Sequence, residues 1–196
     1  NGEHRDSIVG HAVNKRAPHE TWVARSLDGG LTWKAEHPTR PHSLDPYEKP
    51  GAGPAPTQPM GGIDFADPNF LMHNHVTMLA GTYDPNTDRS GARAYFQYSY
   101  DRGKTWSPRY WLPNFGFEGV WARTDYLVKN SSECQLFLTV KNPDDDVVGR
   151  GRCIAVRTTD GGKTWILDGL IGPAPAGTSR IMPSTVRLSS TTLMSA

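Results

Sequence analysis

The chain has 196 residues, 36% of them hydrophobic, with 21 basic and 20 acidic side chains. This near balance leaves no basic stripe, so nucleic-acid binding has no electrostatic support. No apolar run approaches the ~18 residues that a membrane span needs, and we expect none. The first residues, NGEHRDSIVG, lack a charged segment followed by an apolar core. We therefore expect a signal peptide to be absent or already removed.

Abundant turn-forming and aromatic residues predict many short strands. The sequence contains 20 Gly, 16 Pro, 6 Trp and 7 Tyr, a balance typical of strands joined by tight turns, with aromatic rings between layers. Long amphipathic helices are hard to find, so we expect an all-β fold. The two cysteines, Cys134 and Cys153, lie on neighbouring predicted strands. They are either two small buried side chains or a cross-strand disulfide.

A short phrase recurs three times along the chain. SLDGGLTW at 26–33, SYDRGKTW at 99–106 and TTDGGKTW at 158–165 share the pattern Ser/Thr-x-Asp-x-Gly-x-Thr-Trp. Extended segments flank each copy, and AYFQYSY before the second alternates aromatic and polar residues with period two. Each copy is therefore predicted to be the turn of an antiparallel hairpin, with glycine where φ must be positive. Three copies indicate an internal repeat.

In chain order, the repeats divide the predicted strands into groups. The second group reads NFLMHNH, TMLAGTY, ARAYFQYS, TWSPRYWL, and the third, over 122–170, forms one four-stranded antiparallel sheet. STVRLSSTTLMSA adds two strands at the end. A segment rich in Pro and Gly is predicted to be a long loop rather than a domain linker. The strand groups span about 6–36, 67–111, 121–170 and 183–196, and the loop spans 37–62.

The repeat resembles the Asp-box of sialidase-type β-propellers, and all three copies match it at Ser/Thr, Asp, Gly, Thr and Trp. The resemblance implies a β-propeller of four-stranded antiparallel blades, six-bladed in full, with residues 1–196 forming about half of that one domain. About 13 strands are predicted here, whereas a closed propeller needs ~16 or more. We expect the remaining blades to come from the rest of a longer polypeptide.

The repeated residues themselves are predicted to be structural. An aspartate in such a turn accepts backbone N–H bonds from its own turn, and a tryptophan fills the space between neighbouring sheets. In the family that the repeat resembles, these turns lie far from the substrate. The residues concerned are Asp28, Trp33, Asp101, Trp106, Asp160 and Trp165.

Two segments carry candidate catalytic and substrate-binding residues. IDFADPNF at 63–70 resembles the Asp-Pro motif of sialidases, in which the aspartate reaches the substrate pocket; Asp67 is that residue, or else simply part of an Asp-Pro turn. In FGFEGVWARTDYLV, alternation places Arg123 and Asp125 on one face of a strand and Tyr126 on the other. Arg123 and Asp125 are either a buried pair joining blades or a substrate site whose arginine grips a sugar carboxylate bidentately.

The sequence departs from the sialidase pattern at two places. SRIMPSTVRL resembles a segment that normally reads Asn-Glu-Pro, and Met182 stands where the glutamate is expected; methionine cannot act as a general base. The segment GHAVNKRAPHETWVARS, at 10–26, has no aspartate but offers Arg16, His19 and Glu20. Arg16 is a candidate for substrate binding, and His19 or Glu20 for proton donation. The alternative is that these are solvated loop residues.

The resemblance implies a carbohydrate-active enzyme, an exo-glycosidase that hydrolyses sialic acid or a related acidic sugar from glycans. One alternative is a polysaccharide lyase on uronate polymers, with His19, Arg123 and Tyr126 as its machinery. Another is a glycan-binding propeller without catalysis. The partner expected in every case is a glycan, with no cofactor and no metal. A secreted or periplasmic location is expected because such glycans are found there.

Overall fold

The computed structural model describes residues 23–36, 62–66, 70–76, 93–101, 105, 107–141, 151–172 and 183–196. Over these ranges the protein consists of strands and turns and contains no helix, which confirms the all-β prediction. No helix long and apolar enough to cross a membrane occurs among them. The chain divides into two compact units, Asn1–His37 and Pro38–Ala196.

The described residues of the first unit form a hairpin, sheet I. Strand β1 (Val23–Arg25) pairs antiparallel with β2 (Lys34–Glu36), and the first copy of the repeat is the turn between them. Arg25 Nε lies 2.9 Å from Glu36 Oε2 and closes the hairpin with an ion pair. The repeat is therefore a hairpin turn, as its flanking segments predicted.

Among the described residues of the second unit, the first strands form a three-stranded sheet, sheet II. Strands β3 (Phe70–Val76), β4 (Arg93–Ser99) and β5 (Tyr110–Trp111) lie in that order and are antiparallel. Four strands were predicted, with TMLAGTY between NFLMHNH and ARAYFQYS. Instead, β3 pairs directly with β4, so that Phe70 faces Ser99. The TMLAGTY segment, at 77–83, lies outside the described residues.

Sheet III is a complete four-stranded antiparallel meander, as predicted. Its strands are β6 (Gly119–Val128), β7 (Cys134–Lys141), β8 (Arg152–Thr158) and β9 (Ile166–Leu170). The β6–β7 turn and the third repeat, between β8 and β9, lie at the same end of the sheet, which we call the repeat end. Strand β6 begins at the other end, which we call the far end.

The chain closes with a hairpin, sheet IV, of β10 (Thr185–Arg187) and β11 (Leu193–Ser195). The two faces of sheet III have different neighbours. One face packs against sheet II around Phe96, whose ring centroid lies 5.7 Å from that of Trp165. The other face turns toward sheet IV and buries Phe137, Thr139 and Lys141.

The two cysteines are free and buried, so the disulfide interpretation is wrong. Cys153 faces Thr139 across the β7–β8 pair, five residues beyond Cys134 along β7. At ~3.3 Å per residue this separates the two by about 17 Å, whereas a disulfide needs Cα atoms within about 7 Å. The odd spacing also puts them on opposite faces. Burial raises the pKa of the Cys134 thiol to about 12.

Candidate functional site

The three repeat turns share one hydrogen-bond pattern around their aspartate. In the first, Asp28 Oδ1 accepts from the Thr32 backbone N–H at 2.9 Å, and Oδ2 accepts from Thr32 Oγ1 at 2.6 Å. Ser26 Oγ donates to Asp28 Oδ1 at 2.8 Å. The corresponding sets in the other copies are Asp101 with Thr105 and Ser99, and Asp160 with Thr164 and Thr158.

These contacts favour the ionised form of two of the repeat aspartates, Asp28 and Asp160. Hydrogen bonds from Thr32, with help from Ser26, lower the pKa of Asp28 to about 2. Burial works against ionisation of Asp160, but hydrogen bonds from Thr164 and Thr158 outweigh it and lower the pKa of that carboxyl. A carboxylate that is ionised and already accepts several hydrogen bonds is a poor proton donor at neutral pH.

The repeat tryptophans meet different surroundings. Trp33 in the first copy is 65% exposed and donates its Nε1–H to the Gly30 carbonyl at 3.0 Å. Trp165 in the third copy is 7% exposed and packs edge-on against Phe96 in the core between sheets II and III. Trp106 in the second copy lies outside the described residues. One local motif thus yields a buried ring only where a second sheet covers it.

A short extended segment covers the third repeat turn. Ile63 N–H donates to the Gly161 carbonyl at 2.7 Å, and Phe65 N–H donates to the Ser131 carbonyl at 2.8 Å. Ile63 and Phe65 are both buried. The start of IDFADPNF therefore lies at the repeat end of sheet III. Asp67, the candidate in that motif, lies outside the described residues.

The candidate strand β6 contains a pronounced bulge. Trp121 pairs with Thr139 and Asp125 pairs with Phe137, so residues 122–124 lie opposite the single residue Leu138. The bulge therefore adds two residues to β6 relative to β7. Bulges are enriched beside functional sites because they redirect side chains. The backbone of Arg123 lies within this bulge, and its side chain is outside what the structure describes.

Asp125 ties sheet III to sheet IV. Its Oδ2 accepts a hydrogen bond from the backbone N–H of Thr185, at the start of β10. Its Oδ1 accepts from the Tyr126 N–H at 2.9 Å. Thr185 is buried and donates its hydroxyl to Ser195 Oγ at 2.9 Å, which extends the tie across the hairpin. This contact favours the interpretation of Asp125 as a residue that joins neighbouring sheets.

Tyr126 occupies the opposite face of β6. It is half-buried and packs against the hydrophobic core on the sheet II side. Asp125 and Tyr126 therefore do not form one cluster: Asp125 contacts sheet IV, and Tyr126 contacts the core. The candidates Arg16, His19 and Glu20, together with Met182, lie outside the described residues, so their roles stay predictions.

Sequence reasoning overlooked a buried cation at the far end of the sheet. Lys141, the last residue of β7, is 5% exposed and pairs with Gly119 at the start of β6. The signal was present in CQLFLTVK, because alternation places Lys141 on the same face as Phe137 and Thr139. The loop that precedes β6 contains Phe115, whose φ of 54° is an uncommon left-handed conformation for a residue with a side chain.

The structure offers no metal centre in the part of the chain that it describes. No three His, Cys, Asp or Glu side chains come together there in a group able to hold an ion. The candidate arginine and carboxylate on β6 remain the main features of sheet III.

Replacing Asp125 by alanine is expected to lower the free energy of unfolding by about 2 kcal/mol, because a hydrogen bond to a charged group contributes ~1.5–3 kcal/mol. Glu118→Ala removes an exposed carboxylate near the same strand and is expected to change stability by less than about 0.5 kcal/mol. Urea unfolding of both variants, followed by circular dichroism, measures the difference. Equal stability of the two variants would contradict the role of Asp125 as a tie.

Comparison with known protein families supports the identification of the recurring phrase as an Asp-box. The BNR/Asp-box repeat family matches residues 97–108, which is the second copy and its flanks. No curated protein and no solved structure matches the chain. The match confirms the Asp-box resemblance at the second phrase, and the chain carries a BNR/Asp-box repeat.

Proposed function

We propose that the chain forms part of a sialidase-like β-propeller that acts on glycans bearing an acidic sugar. The observation that carries this proposal is the same aspartate-centred turn in three antiparallel hairpins, one of which matches the BNR/Asp-box repeat. A further support is the arrangement of sheets II and IV on the two faces of the four-stranded sheet III, as successive blades are arranged.

The activity we propose is that of an exo-glycosidase hydrolysing sialic acid or a related acidic sugar. Arg123 and Arg16 would bind the sugar carboxylate, because guanidinium groups match carboxylates bidentately. His19 or Glu20 would protonate the leaving oxygen, and Asp67 would act at the reacting centre. Asp125 would position β6 through its bond to Thr185. A secreted or periplasmic location fits a protein that meets such glycans.

A second candidate is a glycan-binding propeller without turnover. Two observations favour it. Met182 replaces the glutamate that the sialidase segment carries, and Asp125 is already engaged in holding two sheets together. In such a protein Arg123 would still bind the acidic group of a glycan, but no bond would break.

The test is to incubate the protein with a panel of sialosides and uronate polysaccharides and to identify the products by mass spectrometry. We expect free acidic monosaccharide from the sialosides. Arg123→Ala is expected to lower kcat/KM by about 100-fold, since a lost charge-assisted bidentate contact is worth ~3 kcal/mol. Lys34→Ala, which removes an exposed cation from sheet I, is the control and should leave kcat/KM unchanged.

Other outcomes separate the alternatives. Unsaturated uronate products, which absorb in the ultraviolet, would replace the hydrolase with the lyase. Binding of acidic glycans that is weakened in Arg123→Ala, with no product formed, would favour the binding propeller. If the folded protein shows no turnover and no binding that depends on Arg123, the proposal as a whole is contradicted.

A further inference from the structure

A groove of about 520 Å³ lies between sheet III and the β10–β11 hairpin. Its walls come from the last residues of β6, from the β6–β7 turn, from β7 and β8 near the third repeat turn, and from the β10–β11 turn. The groove therefore opens at the repeat end. Asp125 and Tyr126, the candidates whose side chains the structure describes, do not line it, and the site inferred here goes beyond the proposed function.

The first cation of the groove, Arg157, is held in place by a carboxylate. Arg157 Nη1 donates to Asp168 Oδ1, and Gln135 Nε2 donates to Asp168 Oδ2 at 2.9 Å. Asp168 is the extra residue of a bulge in β9, because Ala155 pairs with Gly169 while Val156 pairs with Leu167. The bulge thus fixes the guanidinium, whose side chain is still 50% exposed.

Two further cations line the groove. Lys129 Nζ lies 2.9 Å from Glu133 Oε2, and this contact lowers the pKa of the Glu133 carboxyl. Arg187 is exposed on β10, and no acidic side chain of the described ranges forms an ion pair with it. The groove thus has three cations beside the two carboxylates of Glu133 and Asp168, and the net charge of these five side chains is +1.

The remaining lining suits a polyhydroxylated ligand. Hydroxyl groups of Thr159, Ser190 and Thr191 line the groove, and Leu127 and Leu193 add apolar surface. Hydroxyl side chains donate and accept hydrogen bonds as sugar hydroxyls do, and leucine packs against the C–H groups of a ring. The volume lies within the ~300–1,000 Å³ of small-molecule sites.

We propose that this groove is a second, non-catalytic site for an anionic saccharide unit bearing a carboxylate or a sulfate. Arg187 and the oriented Arg157 would bind the acidic group through charge-assisted hydrogen bonds. The hydroxyl side chains would bind the ring hydroxyls. The groove would then hold an acidic glycan at the repeat end of sheet III, independently of any chemistry on β6.

The test is calorimetric titration of the full chain with a galacturonate trisaccharide, a sulfated disaccharide, sodium sulfate and neutral maltotriose. We expect at least one acidic saccharide to bind and maltotriose not to bind. Arg187→Gln and Arg157→Gln are each expected to weaken binding about tenfold, the effect of losing one charge-assisted hydrogen bond. Arg187→Gln removes no ion pair to the described carboxylates, so it should fold normally. The control Lys34→Gln should bind like the parent protein.

Several results would overturn the proposal. One is that neither arginine variant changes the affinity, and another is that no acidic saccharide binds. The proposal would also fail if maltotriose bound as tightly as the acidic saccharides, or if sulfate bound as tightly as either acidic saccharide. The Arg123→Ala variant separates this site from the proposed function. Its groove should bind acidic saccharides normally even if its catalysis or its binding on β6 is lost.

Discussion

The Gly161→Ala variant is expected to lower the free energy of unfolding of the Pro38–Ala196 unit by about 3 kcal/mol, combining left-handed backbone strain with overpacking. Gly161 has a φ of +71°, which a residue with a side chain adopts at a cost. A Cβ there would also lie 2.6 Å from Ile63 N and 2.8 Å from both Ile63 O and Gly62 Cα. These are backbone atoms and cannot rotate away.

The control for this variant is Gly116→Ala, in the same unit. Gly116 has a φ of +84°, and a Cβ at that position would have nothing within 4 Å. Gly116→Ala is expected to lower the free energy of unfolding by about 1 kcal/mol, which is the cost of the left-handed strain alone. Urea unfolding followed by circular dichroism measures both. Equal losses would show that the segment around Ile63 does not press against the third repeat turn.

The repeat turns were predictable from sequence because their contacts are local. The hydrogen bonds that organise the first turn join Asp28 to Thr32 and Ser26, all within one eight-residue phrase. The same reasoning holds for sheet III, whose four strands pair with their neighbours in sequence. Short connections between consecutive strands leave few other pairings to consider.

The environment of each turn was not predictable in the same way. Gly29 and Gly161 hold the same position in the repeat and have φ values of +73° and +71°. A Cβ at Gly29 would meet nothing within 4 Å, whereas at Gly161 it would collide with a segment about 100 residues earlier in the chain. The motif fixes the backbone of the turn, but only tertiary packing decides what covers it.

The candidate site was only partly predictable for the same reason. Alternation placed Asp125 and Tyr126 on opposite faces of β6, and the structure agrees. Nothing in WARTDYLV marks the bulge at 122–124, because it contains no Gly or Pro and depends on the register with β7. The partner of Asp125, the Thr185 amide, lies 60 residues away, beyond the reach of periodicity arguments.

The packing of sheet II on sheet III predicts the largest loss of stability, for Phe96→Ala. Phe96 is fully buried, with ring centroids 5.7 Å from that of Trp165 and 5.6 Å from that of Tyr110. Truncation of a buried phenylalanine removes its transfer free energy and leaves a cavity, so we expect a loss of about 3–5 kcal/mol. Urea unfolding measures this loss, and the fluorescence of Trp165 should shift to the red as its ring gains water.

The control variant Ile166→Ala tests whether the loss of stability in Phe96→Ala comes from burial between sheets II and III. Ile166 begins β9 next to Trp165 in sequence but is 49% exposed, so its truncation should lower stability by less than about 1 kcal/mol. Because Phe96 lies in sheet II and Trp165 follows the third repeat turn, a large loss in Phe96→Ala alone means that the two sheets fold as one packed body. Similar small losses in both variants would mean that the sheets are stable separately, and that the repeat tryptophan does not join them.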